Sequence, residues 1–192
     1  SQYFREFPSP NEPGLDGHNI MDFRFAAPIE NKFNTFIGRY DWRMSDKQSL
    51  FVRGNWQDDS INEAPQFPGQ DPSEVTVFNN IGFAVGHDMV LRSNLVNSFR
   101  YGFTQIDTGT IGTLSDNWVS FRFIDEIDPL TATETRKTPT HNVVNDLSWL
   151  KGKHTVKVGT NLRFTRIPST RNGGSFLSAT INPSWVSGVG RT

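Results

Sequence analysis

Residues 147–164, LSWLKGKHTVKVGTNLRF, form two alternating runs joined by a Lys-Gly-Lys turn. In the second run Val156, Val158, Thr160, Leu162 and Phe164 fall on one side. Thr155, Lys157, Gly159, Asn161 and Arg163 fall on the other, because successive side chains of a strand project to opposite faces. An apolar face backed by Lys and Arg in mid-strand has two possible homes. A soluble sandwich buries it against a second sheet; a transmembrane barrel turns it to lipid and keeps the charges in a wet lumen.

The same pattern recurs upstream. FNTFIGRYDWRM (33–44) sets Phe36, Gly38, Tyr40, Trp42 and Met44 against Thr35, Ile37, Arg39, Asp41 and Arg43. After the tight turn SDKQ (45–48), Leu50, Val52, Gly54 and Trp56 oppose Arg53, Asn55 and Gln57. A second pair follows the polar, Pro-containing connection 58–74. There Val75, Val77, Ile81, Phe83 and Val85 alternate with Thr76, Asn80, Gly82 and Gly86, with Phe78 and Asn79 out of phase. A short link at 88–93 leads to Leu95, Phe99, Tyr101 and Phe103 opposing Ser98, Arg100, Gly102 and Thr104. A longer connection, 108–139, precedes the third pair.

Composition agrees with many short extended pieces. The 192 residues contain 16 Gly and 11 Pro, carry a net charge of -1 and have no Cys. The mean hydropathy is -0.50. Near-neutral charge gives no bulk attraction to nucleic acid, and the lack of Cys excludes disulfides and thiolate metal sites. No apolar run of about 18 residues is present, which excludes a membrane-spanning helix but not a barrel strand. The opening SQYFREFPSPNEPG has neither an initiator Met nor the features of a signal peptide, so the stretch is expected to be an internal piece of a larger chain.

The expected fold is therefore all-β: antiparallel up-and-down hairpins of about six long strands, with long loops on one edge. Residues 1–32 are expected to form an arm or loop, 33–167 three hairpins of a barrel wall, and 168–192 a closing loop segment with a short strand at 176–181. Short connections on one edge and long ones on the other match the periplasmic turns and extracellular loops of outer-membrane barrels. Trp42 and Trp149 fall beside short turns, and Phe36, Trp56 and Phe164 near the loop ends, as two aromatic girdles would. Phe36, Tyr40, Trp42, Trp56, Phe99, Tyr101, Phe103, Trp149 and Phe164 are the candidates for a lipid- or interface-facing set. Arg39, Asp41, Arg43, Arg53, Arg100, Lys157 and Arg163 are the lumen-facing candidates, with Asp41 and Arg53 a cross-strand ion pair.

The stretches RYDWRMSDKQSLFVRGNW, LVNSFRYGF and DLSWLKGKHTVKVGTNLRF resemble the barrel region of TonB-dependent outer-membrane receptors, especially the Oar-like type with a carboxypeptidase-regulatory-like domain. The resemblance implies a barrel of roughly 22 strands around a plug, of which this chain supplies about six. It also implies the outer membrane of a Gram-negative bacterium, or the extracellular space for a released fragment.

No motif for catalysis or a cofactor stands out, and the chain is expected not to be an enzyme. His18, His87, His141 and His154 lie too far apart for a zinc set. Asp125, Glu126 and Asp128 are a Ca2+ candidate without EF-hand spacing, so a solvated loop is the plainer expectation. Six strands are fewer than the eight of a small closed barrel, so the edge strands 33–44 and 155–167 are expected to pair with copies of the chain as a filament or ring, the arm 1–13 adding a clamp. Two alternatives remain open. One is a barrel-wall segment beside the remainder of an intact receptor importing an unknown ligand; the other is a soluble β-sandwich carbohydrate-binding module.

Overall fold

The computed structural model describes residues 7–14, 21–121 and 131–182. In chain order the strands are β1 (Glu12–Pro13), β2 (Met21–Asp22), β3 (Lys32–Ser45), β4 (Gln48–Asn62), β5 (Glu74–Arg92), β6 (Leu95–Gly112), β7 (Trp118–Phe121), β8 (Glu134–Lys151), β9 (His154–Thr165), β10 (Ser169–Arg171) and β11 (Ser178–Ile181). The six long ones form one antiparallel sheet in the order β3-β4-β5-β6-β8-β9, and β10 extends it beside β8. The protein is all-β, with consecutive long strands as neighbours. Its free edges are β3 on one side and β9 with β10 on the other, so the sheet is not closed.

The strands outrun the alternation that signals them. β4 continues to Asn62, β5 begins at Glu74, β6 reaches Gly112 and β8 starts at Glu134. The connections expected at 58–74 and 108–139 shrink to 63–73 and 113–133, and the link expected at 88–93 is a two-residue turn, Ser93 and Asn94. Beyond the apolar zone both faces are mixed, with Ile61, Phe78 and Ile106 beside Asp59 and Thr76 on one and Val75, Val77 and Ile111 beside Asn79 and Asp107 on the other, so the chain stays paired where it no longer alternates. Phe78 and Asn79 keep the regular register, opposite Asp59 and Asp58, and merely carry unexpected side chains for their faces. Pro139 sits inside β8. Its carbonyl accepts from the Arg166 amide at 3.2 Å, so its missing N–H faces the interruption between β9 and β10, where no ladder donor is needed.

The turns lock the hairpins to one another. Gly152, at φ 60°, supplies the left-handed residue of the two-residue turn closing β8 and β9. The Lys47 carbonyl of the first turn accepts from the Val90 amide at 2.8 Å, and the Asn94 carbonyl of the second accepts from the Leu150 amide at 2.8 Å. The first two hairpin tips are thus tied to the strand beyond them.

One hydrogen-bonded row crosses the sheet through Trp42, Leu50, His87, Phe99, Asn145 and Thr160. From that row to the strand ends at the turns is three and two residues in β3 and β4, five and four in β5 and β6, and six in both β8 and β9. The tips therefore step by 3.5 residues over four strand spacings (2.5 to 6), which corresponds to a tilt of about 30°. That approaches the 35–45° at which sheets close into barrels.

Residues in register share a face. One face collects the apolar residues of all six long strands: Phe36, Tyr40 and Trp42 on β3, then Val52 and Trp56, Ile81 and Phe83, Tyr101 and Phe103, Val143 and Leu147, and Val158 and Leu162. Neither face of the long sheet carries a second layer among the described residues. Leu114, on the 113–133 connection, is the one buried hydrophobic among them, while Tyr40 and Phe164 are 65% and 62% exposed. A sandwich would bury this face. The two-stranded sheets, β1 with β2 and β7 parallel to β11, belong to the loop regions; β11 occupies much of the short strand expected at 176–181.

Candidate functional site

The polar face carries an interlocked set of side chains near the short turns. Arg39 on β3 donates through Nε to Asp41 Oδ2 and through a terminal nitrogen to Asp41 Oδ1, both at 2.7 Å. Asp41 is opposite Phe51 on β4, so its own strand neighbour, two residues back on the same face, is within easier reach than a diagonal partner. The expected Asp41–Arg53 pair is accordingly not formed: Arg53 lies opposite Arg39, and Arg39 takes the carboxylate.

Phe51 places its ring 4.4 Å from the Arg39 guanidinium carbon and 5.4 Å from that of Arg100. The aromatic face thereby serves two cations at once. It can lie there because its partner in register is Gly86; a Cβ at that position would overlap the Phe51 ring and meet Arg100 Cδ at 2.7 Å. On β6, Arg100 donates to both carboxylate oxygens of Asp88 at 2.9 and 3.0 Å, and the Ser98 hydroxyl donates to the same carboxylate at 2.8 Å. Four strands are joined by this chain of contacts.

Of the seven candidates for the charged face, all share that face by register, and the structure brings together Arg39, Asp41 and Arg100. Arg43 pairs with Asp46 in the adjoining turn at 3.0 Å. Arg53, Lys157 and Arg163 stand apart, with no ion pair among the described residues. The alternation places Gly86 and Ser98 on the polar face without a role and leaves Phe51 and Asp88 unassigned. The available signal was an aromatic residue on an otherwise polar face, a position that requires a small cross-strand partner.

On the opposite face the nine aromatic candidates lie together with further apolar residues. Phe36 stacks on Trp56 at 5.4 Å between ring centres, with 22° between planes. Phe83 meets Tyr101 and Phe103, both at 5.6 Å, and Phe103 lies 5.0 Å from the His141 ring. Two polar pairs lie on this face, the Tyr101 hydroxyl with His141 Nδ1 at 2.8 Å and Asn97 with Asn145 at 3.1 Å, while the buried Nε2 of His87 has no hydrogen-bond partner. Tyr40, Trp42, Phe99, Trp149 and Phe164 complete the set, and charge reappears above it at the loop end, in Lys32–Asp58 and Lys137–Asp107. On β3 the apolar zone from Met44 to Phe36 covers eight residue steps, about 26 Å of strand, or about 23 Å of height at a 30° tilt. The lipid-facing band of outer-membrane barrels is ~25 Å tall.

His87, His141 and His154 lie in three different strands, β5, β8 and β9, and no metal-binding group of side chains occurs among the described residues. His18 and the acidic residues Asp125, Glu126 and Asp128 lie outside the described residues.

A family model described as an outer membrane beta barrel domain matches residues 1–185 of the chain. No curated protein and no solved structure matches the chain.

Proposed function

The chain belongs to the outer membrane beta barrel domain family, and we propose that it forms part of the wall of a larger transport barrel of the TonB-dependent type. Its apolar face turns to lipid and its charged face to the lumen. The supporting observation is the single-layered sheet, whose apolar belt has the height of a bilayer core and is bordered by aromatic and then charged residues. In water a belt of this size would demand a covering layer. Six strands with two free edges supply only a fraction of a plugged barrel of roughly 22 strands. The role is one of scaffold and passage rather than catalysis, and the Arg39–Phe51–Arg100 set stiffens the lumenal wall near the short turns.

Single cysteines test the assignment cleanly in a chain without native Cys. In proteoliposomes, Ala84→Cys and Thr104→Cys should react with a membrane-impermeant maleimide, whereas Val85→Cys and Phe103→Cys should stay protected. Equal labelling of neighbouring positions would exclude the lipid and lumen assignment.

A second reading is favoured by the two open edges. β3 and β9 run in opposite directions, so β9 of one copy can pair antiparallel with β3 of the next, extending the sheet into a ring or filament through residues 33–44 and 155–167.

A further inference from the structure

The three short turns form one edge of the sheet, and their tips lie two strand spacings apart, about 10 Å. Along this edge Lys47, Arg92, Lys151 and Lys153 are exposed, and none has an ion-pair partner among the described residues. The one acid at these turns, Asp46, is already taken by Arg43. The loop edge is mixed in sign: Glu63, Asp71, Glu74 and Asp116 lie at or beyond the far strand ends, and Lys32 and Lys137 there pair with Asp58 and Asp107.

Just inside the turns, on the apolar face, are Trp42 and Trp149. The Lys151 ammonium stands 5.1 Å from the centre of the Trp149 ring. This geometry suits a membrane boundary, where an indole settles between acyl chains and headgroups while a long cationic side chain reaches the phosphate layer. Cations about 10 Å apart lie within roughly one Debye length of one another at 0.1 M salt, so they act on a charged surface together.

We propose that the short-turn edge is a docking surface for anionic phospholipid headgroups, holding them against the barrel wall through Lys47, Arg92, Lys151 and Lys153. This rests on the lipid-facing assignment of the apolar face. Charge complementarity selects an anionic over a zwitterionic headgroup, because the edge carries uncompensated positive charge and no free acid to receive a choline or ethanolamine group.

The test uses the full chain refolded into mixed phosphatidylcholine and phosphatidylglycerol vesicles, with bromine on the acyl chains of one lipid or the other. Tryptophan quenching should show phosphatidylglycerol enriched roughly threefold over its bulk share at low salt, falling toward bulk at high salt. A variant with Lys47, Arg92, Lys151 and Lys153 all changed to Gln should lose that enrichment. A variant with Lys32, Arg136, Lys137 and Arg166 changed to Gln, which removes equal charge from the loop edge, should keep it. Equal quenching by both lipids, or equal loss in both variants, overturns the headgroup site while leaving the lipid-facing assignment intact. Absence of quenching by either lipid overturns both. Sodium phosphate should act no differently from sodium chloride of the same ionic strength; stronger competition by phosphate would make the edge a site for the free ion and overturn the proposal.

Discussion

Gly86 and Gly102 are both glycines on the polar face of neighbouring strands, and they should answer substitution differently. A Cβ at Gly86 collides with the Phe51 ring, whereas one at Gly102 meets nothing within 4 Å. Gly86→Ala should therefore cost about 1–3 kcal/mol as the ring and the Arg100 side chain are displaced. Gly102→Ala should remain within roughly 0.5 kcal/mol of the parent. Urea unfolding of the chain in detergent or bilayer measures both. If Phe51 is the obstacle, Phe51→Ala in the Gly86→Ala background should recover part of the loss, so that the double-mutant cycle shows coupling of about 0.5 kcal/mol or more. Additive effects would mean that the ring and the glycine do not share the space as described.

At the scale of the strand, β5 tests the two faces within consecutive residues. Val85 aligns with Val52 and Tyr101 on the apolar face, and Ala84 with Arg53 and Gly102 on the polar one. Arginine at Val85 places a charge near the middle of the belt, and destabilisation of about 2–4 kcal/mol is expected in a bilayer. On the adjoining strand, Thr104→Arg points into the polar face, and its effect should stay under about 1 kcal/mol. Unfolding by guanidinium in vesicles separates these outcomes; comparable costs at the two positions would argue that neither face meets hydrocarbon. The belt also explains why β4, β5, β6 and β8 are longer than the 9–11 residues a tilted strand needs to cross a bilayer. The surplus lies at the loop end, where the strands remain paired in water.

For the whole molecule the decisive feature is the pair of open edges. Ile37 on β3 and Asn161 on β9 lie on the same face at opposite margins of the sheet. With cysteine at both positions, a flexible bis-maleimide should yield a ladder of multimers if copies join edge to edge. A product confined to the monomer, together with a soluble monomer in the absence of detergent, would end the assembly reading. In a barrel completed by further strands, the same two positions should instead cross-link to those strands.

The alternation of residues 33–57, 95–104 and 155–164 was enough to establish strands, their two faces and the hairpin order, because side-chain direction in a strand has a period of two and adjacent antiparallel strands need only a short turn. That information is local, and it holds only while the two faces meet different surroundings. Past the belt the two faces no longer differ in polarity, so the extension of β4 to Asn62 and of β6 to Gly112 could be settled only by the pairing of distant strands. The partners of the charges were also beyond reach. Several cations and several carboxylates share the polar face along these strands, and the selection of Asp41 by Arg39 and of Asp88 by Arg100 depends on register, on the placement of Phe51 against Gly86, and on which diagonal neighbour a side chain can reach. Sequence dictated the direction of each side chain; only the assembled sheet, by aligning residues far apart in the chain, decided what each one touches.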